Sequence, residues 1–332
     1  MNFKKNIIYG LILSMAVNAA YAMESSNQKS KEKIKLLVIP GQNGLGGGNI
    51  DKVLPQLEAI AVDTPRINTV ADLFGKNSPD LGQGNCINLL KQTMEPILQD
   101  SDAEGVIIHG SSQGTATAIN YTAENQKKVK ALIMEAVLGS GNSAIYHTVK
   151  EMMSPKLANL PLSYYWMPYF AKAMFPFYSP GGKQPILNAD KIPTDIPVVI
   201  IHNKNDPQLA YSDAQALYAK LVLNGNKNVY LMPMNRNYRE HVVLLKRNEN
   251  EKEIKSIQTI LHNHRLLKAE QTVSAATLKE FQPALNDEFH KAHSNLVSKE
   301  EKMRYVDFGV KTTTYAALCY CAYKIYKYLK PQ

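Results

Sequence analysis

Five short, predominantly apolar runs, separated by stretches with helical spacing, constrain this 332-residue chain more than any other feature. The runs fall at 34–39, 105–109, 129–137, 197–202 and 228–232, with a weaker one at 59–62. A strand that is apolar at every position, rather than at alternate ones, is buried on both faces. Helical patterns lie between the runs at 85–98, 115–123, 212–223 and 242–261. The first carries Ile87, Leu90, Met94, Ile97 and Leu98 at spacings that share one helix face. This alternation predicts an α/β fold, a mostly parallel central sheet with helices on both faces. Such sheets bind their ligands at the carboxyl ends of the strands.

Two regions break the rhythm. Residues 142–193 show no strand pattern and are rich in aromatics and methionine, and residues 263–332 are helical in pattern. The expected organisation is one domain over 34–262, with 142–193 as a helical cap insertion, followed by a helical C-terminal extension over 263–332. Ahead of it, residues 1–22 have the layout of an export signal. Lys4 and Lys5 precede an apolar stretch at 7–17 that is too short to cross a bilayer comfortably, and Ala20 and Ala22 occupy the positions a signal peptidase reads. Residues 23–33 form a polar, charged linker. The chain is therefore expected to be exported, periplasmic or secreted, beginning near Met23; an uncleaved anchor is the alternative.

The three cysteines, Cys86, Cys319 and Cys321, are too few for a disulfide framework or a metal site. No metal and no cofactor is expected. The net charge of +9 comes without an Arg-rich stripe or a nucleic-acid motif, so no nucleic-acid partner is expected. Residues 299–332 hold seven Lys/Arg against three Asp/Glu. This tail is expected to pack on the domain, with a membrane-surface contact or a membrane span as the alternatives.

The strongest chemical signal is Gly110-Ser111-Ser112-Gln113-Gly114. It follows the strand run directly and opens a helix of small residues, Thr115, Ala116, Thr117 and Ala118. A nucleophilic serine on a sharp strand-to-helix turn needs this setting, because bulky neighbours would clash with strand or helix. Ser112 is the central residue and the candidate nucleophile.

From this motif onward the segment 34–262 resembles the α/β-hydrolase superfamily, in particular its esterase-like and lipase-like serine hydrolases. Strand, glycine-containing loop, elbow, acid and histidine follow in that superfamily's order. The resemblance implies Asp206 as the acid, a few residues beyond the strand run at 197–202, and His241 as the base, after the run at 228–232. Asn203 stands where the family usually has glycine, and asparagine tolerates a left-handed backbone. Asp213 is expected to be a structural acid at a helix start. His109 and His202 lie inside strand runs and are expected to be satisfied core histidines. The resemblance also implies an oxyanion hole from the backbone N–H groups of Gln113 and Gln42, the latter in the loop that starts at Pro40 and Gly41.

A serine hydroxyl is a weak nucleophile until a neutral imidazole takes its proton and a carboxylate orients that imidazole. The implied activity is hydrolysis through an acyl-enzyme of a small-molecule carboxylic ester with an apolar or lipid-like acyl group. A serine peptidase or amidase with the same triad is one alternative, and a non-catalytic binding protein on a hydrolase scaffold is another. Within the insertion, Trp166, Tyr169, Phe170, Phe175 and Phe177 are the candidates for an apolar acyl pocket above Ser112, and packing of the cap onto the core is the competing role.

Overall fold

The apolar runs assemble into one six-stranded, wholly parallel sheet. In chain order the strands are β1 (Ile34–Ile39), β2 (Glu58–Ala61), β3 (Gly105–Ser111), β4 (Val129–Glu135), β5 (Val198–Asn203) and β6 (Val229–Met234), arranged β2-β1-β3-β4-β5-β6. The structure, a computed structural model, describes residues 34–41, 50–63, 78, 80–152, 160, 162–170, 172, 176–235, 241, 250–269 and 271–329. Of residues 51, 52, 151, 152, 170, 318, 319 and 321–329 only the backbone is described. The export signal (1–22), the linker (23–33), Gln42 and Phe175 lie outside the described residues.

The two faces of the sheet are covered by different helices, because each strand sends alternate apolar side chains to opposite sides. On one side Leu37, Ile39, Ile108, Leu132, Val198 and Ile200 pack against α2 (Gly84–Gln99), α3 (Gln113–Glu124) and α7 (Tyr211–Leu223). On the other, Leu36, Ile107, Ile133, Val199 and Met232 pack against α1 (Ile50–Val53), α8 (Glu251–Asn263) and α9 (Ala275–Glu280). The helical pattern at 242–261 is helix from Glu251 onward, and 242–249 lie outside the described residues.

Registry places the chemistry. Ile39 pairs with Gly110, Ser111 with Glu135, Glu135 with Ile201, and Asn203 with Met234. The carboxyl ends of β1, β3, β4, β5 and β6 therefore form one rim. The chain runs outward from β1 to β2 on one side and from β3 to β6 on the other. The switch point of the sheet thus lies between β1 and β3, where sheets of this kind open a crevice for ligands.

Between β4 and β5 the chain inserts α4 (Gly141–Met152), α5 (Ser163–Phe170), α6 (Pro185–Asn188) and a 3-10 turn (Ala189–Lys191). The chain then ends in one 43-residue helix, α10 (Asp287–Leu329). Its first half is pinned along α7 by Phe289 and Leu296, with the Phe289 ring 5.3 Å from that of Tyr218, and Met303, a further seven residues on, is also buried. A seven-residue spacing returns to the same side of a helix every two turns.

Two buried acids of α10 hold the insertion. Glu300 accepts hydrogen bonds from Ser140 Oγ at 2.5 Å, Asn142 Nδ2 at 2.7 Å and the Tyr164 hydroxyl. Asp307 accepts from the Tyr169 hydroxyl at 3.3 Å and from Ser179 Oγ at 3.4 Å. Among the described residues, no helix is long and apolar enough to cross a membrane.

Candidate active site

The elbow is as tight as its glycines require. Ser112 adopts φ 53 and ψ −119, a backbone state that a residue with a β-carbon reaches only under strain. A Cβ on Gly110 would lie 2.7 Å from the carbonyl oxygen of Gly114, and one on Gly114 only 2.1 Å from that of Ile39. Backbone cannot yield at such distances, so both positions require glycine. The turn is held from below. Ser112 N–H donates to the Glu135 carbonyl at 2.9 Å, and Thr115 donates to the Ser112 carbonyl through its N–H at 2.9 Å and its hydroxyl at 2.6 Å. Leu138 N–H in turn donates to Thr115 Oγ1 at 2.9 Å, which ties the elbow to the chain leaving β4.

Asp206 sits in the turn after β5, with its carboxylate fully buried. Its Oδ1 accepts the backbone N–H groups of Gln208 at 2.7 Å and Leu209 at 2.9 Å. That anchorage leaves Oδ2 aimed at His241 Nδ1, 2.8 Å away, and His241 Nε2 lies 2.7 Å from Ser112 Oγ. The three residues come from loops after β3, β5 and β6, so the rim of the sheet brings together side chains up to 129 positions apart. With Nδ1–H donated to the carboxylate, Nε2 is the free acceptor for the serine hydroxyl proton. This is the arrangement that general-base activation of a serine requires.

The comparisons bear on the fold. No protein-family model matches the sequence, and no curated protein matches it. Among solved structures, an esterase of Pyrococcus furiosus is similar, with 14% identity, 70% of this chain and 84% of the esterase covered, and a TM-score of 0.50. An acylaminoacyl peptidase of Pyrococcus horikoshii is similar at 15% identity, with a TM-score of 0.52 over 75% of this chain. This chain covers only 40% of that peptidase. The chain has the α/β-hydrolase fold.

Within that fold, Gln113 is the first residue of α3, where no preceding turn supplies a carbonyl for its N–H. Its side chain is turned away, donating to Cys86 Sγ at 2.9 Å. Cys86 is buried, and burial together with Asp80 pushes its thiol up to about 12, so it stays protonated. Gln42 lies outside the described residues. Ile39 and Pro40, just ahead of it, border Gly114, so the loop containing Gln42 departs from beside the elbow.

Asn203 is the last residue of β5, and φ is not positive there. The left-handed conformation expected from its place is not used. Its side-chain oxygen instead accepts the N–H of Asn205 at 3.3 Å, capping the acid turn.

His202 is the satisfied core histidine expected, and it also supports the site. Its Nδ1 accepts the N–H of Val137 at 3.0 Å, and its Nε2 meets the Leu209 carbonyl at 3.2 Å. Burial holds its pKa below the usual histidine range, which favours the neutral tautomer these two partners need. The ring thus ties the end of β4 to the turn carrying Asp206. Sequence reasoning placed His202 in the core but had no signal for this bridge, because its partners are backbone groups of other segments.

His109 is in the core as expected but is not satisfied: neither ring nitrogen has a hydrogen-bond partner among the described residues, and the buried Glu135 carboxylate stands 3.6 Å away on the strand behind the elbow. Asp213 lies in the first turn of α7, as expected, but buried, and accepts from Ser143 Oγ at 3.1 Å. Of the aromatic candidates in the insertion, Trp166 is partly buried and Tyr169 is engaged by Asp307. Phe177 is 48% exposed, Phe170 is described only in its backbone, and Phe175 lies outside the described residues. Among the described residues, no three His, Cys, Asp or Glu side chains gather as metal ligands.

Proposed function

We propose that the protein is a serine hydrolase that works through an acyl-enzyme, with carboxylic esters of apolar or lipid-like acyl groups as its substrates. The single observation that carries this reading is the unbroken chain from Ser112 through His241 to Asp206, at 2.7 and 2.8 Å, with Ser112 held on a strained elbow. Structural strain of this kind survives only where the surroundings enforce it, and at Ser112 they do so through two obligatory glycines.

The steps follow from the geometry. Ser112 Oγ attacks the ester carbonyl carbon as its proton passes to His241 Nε2. Asp206 stabilises the imidazolium that results. Negative charge develops on the carbonyl oxygen, within reach of the Gln113 N–H and, in this reading, of the Gln42 N–H. His241 returns its proton to the departing alkoxide, which leaves as the alcohol. Water then attacks the acyl-enzyme with His241 again as base, releasing the acid and restoring Ser112.

An amide would follow the same steps with an amine leaving, and the similar solved structures include one called an esterase and one called a peptidase. The ester reading rests on the apolar, aromatic composition of the insertion at 142–193. In the same proposal residues 1–22 direct export and are removed, so mass spectrometry of the exported chain should find it beginning near Met23. A fluorophosphonate probe tests the catalytic reading directly. It should label the native chain on Ser112 and leave Ser112→Ala unlabelled. Labelling of neither, with the fold intact, would leave a scaffold without chemistry.

A further inference from the structure

The last part of α10 has properties that neither the sheet nor the candidate triad explains. Lys311 ties the helix to the body, its ammonium reaching Asp307 at 2.6 Å and Ser179 Oγ at 3.1 Å. Beyond it, Thr312, Thr313 and Thr314 turn their hydroxyls back to the carbonyls of Phe308, Gly309 and Val310, so the helix there satisfies itself. Large side chains are nevertheless left in solvent. Tyr305 is 79% exposed, Phe308 71%, Tyr315 69% and Tyr320 60%.

This exposure is not the spill-over of a packed face. The body-facing line of the helix runs through Leu296, Glu300, Met303 and Asp307. Tyr305, Phe308 and Tyr315 are set at a different angle around the axis, at a spacing that keeps them together. In the sequence the same spacing continues through Cys319, Tyr323 and Tyr326. The charges are one-sided. From residue 308 to the end of the chain there are four lysines, at 311, 324, 327 and 330, and no acid. The stretch 312–323 between them carries no charge, but twelve residues fall well short of the ~20 that a bilayer span needs. At 1.5 Å per residue, Phe308 to Leu329 is roughly 30 Å of helix.

We propose that residues 305–329 form an interfacial helix that docks the protein on an anionic lipid surface. Exposed tyrosines suit the boundary between headgroups and acyl chains, since each has an apolar body and a polar tip. Lys324, Lys327 and Lys330, which follow the uncharged stretch with no acid beside them, match anionic headgroups. A second copy of the chain is disfavoured as the occupant, because pairing along the aromatic line would bring Lys324, Lys327 and Lys330 against a segment whose one acid, Asp307, is buried and already holds Lys311. The proposal does not depend on the chemistry of Ser112.

The test uses the full chain carrying Ser112→Ala, so that no lipid is hydrolysed, in vesicle co-sedimentation. It should bind vesicles of phosphatidylcholine with phosphatidylglycerol, bind phosphatidylcholine alone far more weakly, and lose binding as salt is raised. Replacing Lys324, Lys327 and Lys330 together by Gln should weaken binding roughly a hundredfold. Replacing Tyr305, Phe308 and Tyr315 together by Ser should abolish it while leaving the Tm unchanged. Equal binding to neutral and anionic vesicles, or binding to neither, would overturn the proposal whatever the variants do. So would a lipid-free dimer in light scattering that the aromatic variant turns into a monomer, since the helix face would then belong to a second copy.

Discussion

Two acids of this molecule are buried to a similar degree and do different work. Asp206 takes two backbone N–H groups on one oxygen and an imidazole on the other, and that imidazole is 2.7 Å from a strained serine. Glu300 takes only neutral donors, a serine hydroxyl, an asparagine amide and a tyrosine hydroxyl. Burial holds the pKa of Glu300 above the ordinary carboxylate range. The contrast lies in where each set of partners leads. From Asp206 the hydrogen bonds run on to an atom that can react. From Glu300 they run from α10 into α5, α4 and the segment after β4, and on through Asn142 to Tyr178 and Pro180, without meeting a base that faces a nucleophile. Burial alone does not mark a functional carboxylate; a basic partner that itself faces a nucleophile does.

The largest effects should come from the first set. Ser112→Ala should lower kcat/KM for an activated ester by about 10⁴-fold or more, with the Tm unchanged. His241→Ala should cost nearly as much. Asp206→Asn keeps the shape but favours the wrong tautomer of His241, for a loss of about 10³- to 10⁴-fold. Activity that survives Ser112→Ala but not Ser111→Ala would move the nucleophile by one residue and break the comparison at its root.

Glu300 should show the reverse pattern. Glu300→Ala strands three donors in a buried setting and should cost on the order of 3 kcal/mol of stability, read as a lower urea midpoint. Turnover of an acetate ester, measured well below the Tm, should stay within a few fold of the native chain. Glu300→Gln keeps acceptors for Ser140 and Tyr164 but turns an amide toward Asn142, and should lose less. If Glu300→Gln instead abolishes turnover without touching stability, the α10 clamp belongs to the active site and the two sets are not separate.

The first set was legible in the sequence and the second was not, for a physical reason. Strands buried on both faces must be apolar at most positions, so β1, β3, β4 and β5 stood out, and a serine on a tight turn must be flanked by glycines. Each of those demands acts on contiguous residues. The Glu300 network joins α10 to residues about 160 positions earlier, and a glutamate in a charged helix looks like any solvated residue. Only its place on the line of Leu296 and Met303 gives it away, and that line matters only once α7 is known to lie against it. Of the aromatics expected to line an acyl pocket or pack the cap, Tyr169 spends its hydroxyl on Asp307, and Tyr164, not among those candidates, spends its own on Glu300.

The smallest effect, and the one that best separates the two kinds of acid, belongs to Asp213. It lies only seven residues beyond Asp206, in the first turn of α7, and also faces the α10 clamp. Burial raises its pKa from 3.8 to about 7; the Glu300 carboxylate adds to the rise, while Ser143 and Lys299 oppose it. A folded-state pKa above the unfolded one means that the native state holds the proton more tightly. Its contribution to stability is present in full below about pH 4 and is lost as pH rises through 7. Asn mimics the protonated acid and keeps an oxygen for Ser143. The Tm of Asp213→Asn should therefore approach that of the native chain below about pH 4, and exceed it increasingly as pH rises to 8.5. The shift corresponds to ~4 kcal/mol if taken at face value, at about 1.4 kcal/mol per unit. The positive end of α7 favours the charged form, so a gain of about 1 to 2 kcal/mol, or roughly 2–6 °C, is expected. Differential scanning calorimetry across that range reads it directly. Glu300→Gln should reduce the gap, since the Glu300 charge is one of its causes. A difference that is constant with pH would mean Asp213 is charged throughout, paired by Lys299 as firmly as Asp206 is by His241.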